Sequence, residues 1–445
     1  MCALHFSQRV SEFRPSSIRK MSAISIQQKK LGKTVYELNI GQPDISGIPA
    51  FGKYLSELCS QNYYSYSPYI GEATLRENYA KYLNFYFDRT SSPHLTIDSD
   101  NVTITVGAVQ ALCNTFLALC NPGDEILCVE PFFPVYATSI AVSGGVLRTI
   151  PTYAEQNFAL PEFEELERYI NPKTRAILLN NPNNPSGKIF SKDEVMRLVK
   201  LSLKYDIFLI SDEVYREMYL AGKQPFSVLQ ADLSREEMDR FIHRLIVIDS
   251  ASKTFALTGT RLGIVVARPE IIEKISLVTF NTVGSVSDVM QKSLARTYEF
   301  ATSNTKFFDE MRKVYAERLE VAMNEISNFS SVFVPKPEGA FYLILKFPEL
   351  EDVTEFALFM LQEFSKNNET VAMTPAADFY LTPGRGKNEI RLALVVDCEK
   401  TRKSMGLIKE GYAAYMQKLK TQNHGKIEQK NQLGGKLKID RFSQL

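Results

Sequence analysis

Lys253 stands in DSASKTFALTGTRLG (249–263), directly after the apolar run Leu245–Ile248. An amine just past the carboxyl end of a buried strand lies where open α/β sheets bind ligands. Such an amine can form an imine with a carbonyl carbon. Ser250, Ala251, Ser252 and Thr254 around it are small or hydroxylated, so they leave room for a ligand and supply donors. By itself the segment also reads as a surface lysine on a loop. FLISDEVY (208–215) ends a second apolar run on Asp212, with Tyr215 three residues on. That carboxylate either serves a ligand or caps a following helix. AILLNNPNNPSGKIF (176–190) follows a third run with Asn184-Pro185-Ser186-Gly187. This is rigid turn chemistry, which either holds the Asn184 amide in place or makes a plain turn. VTITVGAVQALCNTF (102–116) carries a fourth run into Gly107, Ala108 and Val109. Free backbone N–H groups at a helix start form an anion site, though the same pattern suits an ordinary strand-to-helix turn. It is neither a P-loop nor a GxGxxG fingerprint.

An amine, a carboxylate, a phenol, an amide and an anion-binding helix start together suit a phosphorylated pyridine aldehyde. The amine forms an imine with the aldehyde, and the carboxylate keeps the pyridine nitrogen protonated so that the ring draws electrons. Donors hold the ring oxygen, while N–H groups and an arginine hold the phosphate.

The elements that must position these groups are apolar runs alternating with helix-like segments. The runs are Val102–Val106, Glu125–Val129, Gly145–Ile150, Ala176–Leu179, Phe208–Ile210, Leu245–Ile248 and Leu262–Ala267. Continuous apolar strands between helices predict an α/β fold with a mostly parallel seven-stranded sheet sandwiched by helices. From 285 to 328 the pattern turns helical. GAFYLILKF (339–347) reads as a strand, 353–366 as a helix and IRLALVV (390–396) as another strand, giving a smaller α+β domain. The expected organisation is an N-terminal arm and part of the small domain over 1–50, a large domain over 51–299, the small domain over 300–418, and a mobile polar tail over 419–445.

Composition narrows the function. Lys+Arg is 52 and Asp+Glu is 51 across 445 residues, a balance without the basic footprint of a nucleic-acid binder. No run of about 18 apolar residues predicts a membrane span, and MCALHFSQRV lacks the apolar core of a signal peptide. A cytoplasmic protein is expected. The six cysteines form no C-x-x-C pair and read as buried free thiols. Four histidines, His5, His94, His243 and His424, argue against a histidine metal site or a Ser-His-Asp hydrolase, so no metal is expected.

GQPD, YSPYIGEATLRE, TVGAVQAL, NPGDEILCVEPFFPVY, NNPNNPSG, SDEVY, SASKTFALTGTRLG, PEGAFY and IRLAL follow one another in a familiar order. Over residues 10–418 the chain resembles the fold-type-I, class I/II aminotransferases that use pyridoxal 5'-phosphate, close to the bacterial aspartate aminotransferase subgroup. The resemblance implies that Lys253 is the Schiff-base lysine and proton shuttle and that Asp212 pairs with the pyridinium nitrogen. Tyr215 and Asn184 would hold the ring oxygen. Ser250 and Arg261, with the backbone of Ala108 and Val109, would bind phosphate. Phe133 would stack on the ring, and Tyr66 would reach the phosphate across a homodimer interface. Arg391 would take the substrate α-carboxylate, with Gly41 and Asn184 beside it. Phe133 replaces a more usual tryptophan or tyrosine, and Val109 stands where some dicarboxylate-specific relatives carry lysine. Pro375-Ala376 replaces the family's usual Pro-Gly, and Arg385 is a candidate for a substrate side-chain contact. The expected reaction is ping-pong transfer between an L-amino acid and a 2-oxo acid, L-aspartate with 2-oxoglutarate first, aromatic or broad-range substrates next. A C–S β-lyase or a cyclopropane-forming lyase fits the same scaffold. A regulator's effector domain would need an N-terminal DNA-binding domain, for which the 35 or so residues before LNIGQPD are too few.

Overall fold

The computed structural model describes residue 13 and residues 16–89, 95–220 and 222–439. Residues 1–12 of the expected arm and 440–445 of the expected tail lie outside the described residues.

The strands are β1 (Thr34–Glu37), β2 (Val102–Val106), β3 (Glu125–Glu130), β4 (Val146–Pro151), β5 (Thr174–Asn180), β6 (Phe208–Asp212), β7 (Leu245–Ser250), β8 (Leu262–Ala267), β9 (Tyr342–Lys346), β10 (Glu369–Ala372), β11 (Thr374–Pro375) and β12 (Glu389–Ala393). Strands β2 to β8 form one seven-stranded sheet in the order β2-β8-β7-β6-β5-β3-β4. Only β8 runs antiparallel to its neighbours; the other pairs are parallel. Each of the seven apolar runs read from the sequence is one of these strands.

Both faces of the sheet are covered. Side chains alternate along a strand, so Ile177, Leu179, Leu209, Val247 and Ile264 enter one core, shared with the helix Ala73–Arg89. Ala176, Leu178, Ile210, Ile246 and Val265 enter another, shared with the helix Gly107–Leu119. Covering helices begin where their caps dictate. Ser191 and Glu194 form a capping box before Lys192–Tyr205, satisfying N–H groups that the first turn leaves unpaired.

The smaller unit holds the antiparallel sheet β11-β12-β9 and the parallel pair β1-β10 around a separate apolar core. Its helices include Lys306–Ile326 and Cys398–Ile439. The latter continues past 418 to Ile439. The described cysteines form no disulfide, as expected, but only Cys128 is buried; Cys59, Cys113, Cys120 and Cys398 are intermediate.

The topology collects strand ends. Asn180 at the end of β5 is the register partner of Asp212 at the end of β6, and Asp212 pairs with Ile248 of β7. Both β2 and β7 are antiparallel to β8, so they end on the same edge. A second device ties the two units there. Glu130, fully buried at the end of β3, accepts from the backbone N–H groups of Leu381 and Thr382 and pairs with Arg385 at 3.1 Å.

Candidate active site

Lys253 lies in the short helix Ala251–Thr254, which Ser250 caps by accepting from the Ser252 N–H. The lysine Nζ donates to the Gly41 carbonyl at 2.5 Å. A Cβ at Gly41 would overlap the Tyr342 hydroxyl, so only glycine brings this carbonyl to the amine. Burial pushes the Lys253 amine down to about 7, with the charges of Arg391 and Arg261 adding to the effect.

Asp212 is buried beneath. Its Oδ2 accepts from the Tyr136 hydroxyl at 2.6 Å and its Oδ1 from the Val214 N–H at 3.3 Å. Burial raises it to about 6; the two donors oppose that rise, and Asp249 and Glu213 reinforce it. No helix follows Asp212: Val214 to Glu217 form a turn, so Tyr215 reaches the site from a turn rather than from one helical turn onward. Its hydroxyl lies 2.9 Å from that of Tyr342.

Asn184 is fixed at its backbone, where its N–H donates to Asn180 Oδ1 at 2.7 Å, and its own Oδ1 accepts from Arg391 Nη1 at 3.3 Å. Arg391, 1% exposed, also donates from Nη2 to the Asn39 carbonyl at 2.5 Å. Its guanidinium lies 4.7 Å from the Tyr342 ring centre and 5.1 Å from that of Phe379. Its Nε is buried without a hydrogen-bond partner.

The helix Gly107–Leu119 begins without a side-chain cap, leaving N–H groups at its first turn available. Gly107 has φ +74, and a Cβ there would stand 2.5 Å from Arg261 Nη2. A Cβ at Gly263 would overlap the Gly107 carbonyl. These two glycines let β8, the helix start and the arginine converge. Arg261 keeps most of its guanidinium open, with Nη1 donating to the Thr258 carbonyl at 2.9 Å. Ser250 is buried, its Oγ donating to the Leu262 carbonyl at 2.8 Å. Phe133 is partly buried and meets Tyr136 edge-on, ring centres 5.7 Å apart. Ala108 is half-buried and Val109 is 41% exposed at the helix start.

One contact chain therefore joins Lys253, Gly41, Tyr342, Tyr215, Arg391 and Asn184; the charge of Asp212 acts on Tyr215 and that of Arg261 on Lys253. Tyr66 is not part of it: it stands 95% exposed. Arg385 is not a free cation. Besides Glu130 it donates to the Thr152 carbonyl and lies against the rings of Tyr153 and Tyr380. The sequence reading passed over Tyr136, Tyr342 and Asn39. The first two sit inside motifs already quoted, PFFPVY and GAFY, but nothing local marks which tyrosine faces a ligand.

The charges are unequal. Lys253, Arg391 and Arg261 form no salt bridge with any carboxylate among the described residues; Asp212 is the only acid in the contact set. A buried cation without a counter-ion costs several kcal/mol, and Arg391 keeps an orphan Nε as well. Such a site is made for anions. Pyridoxal phosphate would fit it: Arg261 and the helix start could hold its phosphate, Asp212 its ring nitrogen, and Arg391 a substrate carboxylate.

Comparison with known proteins bears on that fit. The sequence profile described as aminotransferase class I and II matches residues 33–403. An aspartate aminotransferase of Pyrococcus abyssi is 31% identical over 405 residues, covering 90% of this chain and 96% of the relative. An aromatic-amino-acid aminotransferase 2 of Thermococcus litoralis is 30% identical over 408 residues, with the same two coverages of 90% and 96%. The solved structure of a single mutant of Thermus thermophilus aspartate aminotransferase superposes with a TM-score of 0.81 at 25% identity, over 92% of this chain and 100% of that one.

Proposed function

Since the chain belongs to the class I and II aminotransferase family and is a pyridoxal-phosphate-dependent transaminase, we propose that it moves an amino group between L-aspartate and 2-oxoglutarate by a ping-pong reaction. The observation that carries the site assignment is the set of three basic groups, Lys253, Arg261 and Arg391, that form no salt bridge among the described residues and lie around one buried carboxylate. The substrate pair rests on the aspartate aminotransferases among its relatives. Aromatic substrates are the second reading. It is favoured by Val109 at a possible lysine position, by the engagement of Arg385 with Glu130, and by the aromatic relative.

Bound pyridoxal phosphate supplies an aldehyde that condenses with amines and a ring that accepts electron density from Cα. The protein does the rest. Lys253, its amine lowered to about 7 by burial, would hold the cofactor until a substrate amine displaces it, and the freed amine would then carry the proton lost from Cα. Asp212, held by Tyr136, would pair with the ring nitrogen. Tyr215 and Asn184 would hold the ring oxygen. Ser250, Arg261 and the N–H groups of Ala108 and Val109 would hold the phosphate, and Phe133 would cover the ring face. Arg391 takes the α-carboxylate in a planar two-point contact beside Gly41, which orients the Cα–H bond toward the lysine.

Tyr66, Tyr63, Tyr64 and Tyr69 are exposed, as are Leu277, Phe280 and Val283, with Tyr69 and Phe280 in ring contact. So much exposed apolar surface supports a homodimer in which Tyr66 completes the neighbour's phosphate site. The free cysteines support a cytoplasmic location, and no helix among the described residues is long and apolar enough to cross a membrane.

An absorbance scan of the purified protein, before and after single amino acids, tests the proposal. A band near the visible–ultraviolet boundary that bleaches with L-aspartate supports the reaction and the substrate. Bleaching with tyrosine alone moves the assignment to aromatic substrates, and release of ammonia and pyruvate from cystathionine moves it to a lyase. The absence of a band after adding pyridoxal phosphate refutes the role of Lys253.

A further inference from the structure

Tyr342 lies at the junction of three site residues. It belongs to β9 of the smaller unit, yet its side chain is packed in the main core of the large one. It is 2% exposed. Its ring lies 4.7 Å beneath the Arg391 guanidinium and meets the Tyr215 ring edge-on at 5.7 Å. Its hydroxyl occupies the space that a Cβ at Gly41 would need. That hydroxyl and the Tyr215 hydroxyl are mutual partners at 2.9 Å, and either could be the donor.

A phenol has one hydrogen to give. If Tyr215 spends its hydrogen on Tyr342, it has none for a ring oxygen. If Tyr342 donates, the Tyr215 hydrogen is free to point into the site, and Tyr215 becomes the stronger donor because hydrogen bonds in series polarise one another. Burial raises both phenols; Arg391, whose guanidinium lies against the Tyr342 ring, opposes the rise at both, but Asp212 adds to it at Tyr215 only, which leaves the Tyr342 hydroxyl the readier donor and favours the second arrangement.

We propose that Tyr342 is a positioning residue that acts through Tyr215: its hydroxyl donates to the Tyr215 oxygen and thereby commits the Tyr215 hydrogen to the ring oxygen of the bound cofactor. This rests on the assignment of Tyr215 given above. Tyr342 also links the carboxylate anchor to the cofactor holder by direct contact.

The test is a pH titration of the visible absorbance of the holoenzyme. In Tyr342→Phe the ring stays against Arg391 but the donor is gone. The midpoint should rise by about half to one pH unit, the equivalent of one hydrogen bond, while KM for the amino acid stays within about threefold. Tyr215→Phe should raise it at least as far, and the double variant no further, because Tyr342 has no route except Tyr215. Incorporation of 3,5-difluorotyrosine at position 342 keeps the shape, strengthens the donor and should move the midpoint down; it also serves if Tyr342→Phe does not fold. A normal wild-type band whose midpoint is unchanged in Tyr342→Phe, or single shifts that add in the double variant, overturns this inference alone. A wild-type protein without the band overturns the proposed function and this inference with it.

Discussion

Replacing Arg391 with methionine should damage catalysis and leave the ligand-free fold as stable as before, or more so. The guanidinium is 1% exposed, pairs with no carboxylate among the described residues, and has an unpartnered Nε. Against its desolvation stand two hydrogen bonds, to Asn39 and Asn184, and contact with two aromatic rings. Exchanging a buried ionic group for an apolar one of similar volume is often neutral or stabilising by about 1–4 kcal/mol. For a chain of this size that is a rise in Tm of roughly 1–4 °C, taking the usual unfolding entropy per residue. With substrate the sign reverses. Losing one partner of a buried, hydrogen-bonded charge pair costs about 2–5 kcal/mol, or roughly 30- to 5,000-fold in kcat/KM. Two measurements check the pair of claims: thermal melting of the cofactor-free protein, and the rate at which an amino acid bleaches the holoenzyme band. A simple alkylamine, lacking a carboxylate, should react equally well with both proteins. A fall in ligand-free Tm of several degrees, or a loss in kcat/KM below tenfold, would refute the reasoning that Arg391 is an unpaired cation awaiting a carboxylate.

Other outcomes follow from the same geometry. Lys253→Ala should remove the visible band and reduce turnover to the detection limit; near-normal turnover would reject the assignment. In the wild type, the rate of reconstitution by pyridoxal phosphate should climb with pH about a midpoint near 7, not near the ordinary lysine value, because the reactive species is the free amine. Asp212 bears on stability. Its folded pKa of about 6 exceeds the ordinary 3.8, so the folded cofactor-free chain binds more protons between those values and loses stability as pH rises through them. The loss is at most about 3 kcal/mol, and urea titrations should show it flattened in Asp212→Asn and in the holoenzyme. Arg385→Ala should leave the aspartate-to-aromatic preference within about twofold yet destabilise by about 3 kcal/mol, since it strips the cation from the buried Glu130. A changed preference with unchanged melting would reverse that assignment.

The frame of the molecule was readable because buried parallel strands are unbroken apolar runs, and strand ends are where polar residues resume. Lys253, Asp212 and Asn184 stand out for that reason, and the glycines at 107 and 263 fit the tight approach of a strand to a helix start. What stayed hidden depends on distance along the chain. Tyr136 sits in the apolar helix Val135–Val142 and resembles core packing until β3 and β6 bring it to Asp212. Arg385 meets Glu130 across 255 positions, so a loop arginine that looked free is bound. The helix that starts at Cys398 continues to Ile439, through a stretch whose lysines and glutamines are good helix formers.

The imbalance of charge around Lys253 reaches beyond catalysis. Each anion that binds relieves a repulsion already present in the empty chain, so loading and folding are thermodynamically linked, and a cofactor present at a hundred times its dissociation constant would add about 2.7 kcal/mol of stability. A chain made when the cofactor is scarce opens more often and is exposed longer to proteolysis. The amount of this enzyme that survives in a cell would then follow the supply of its cofactor.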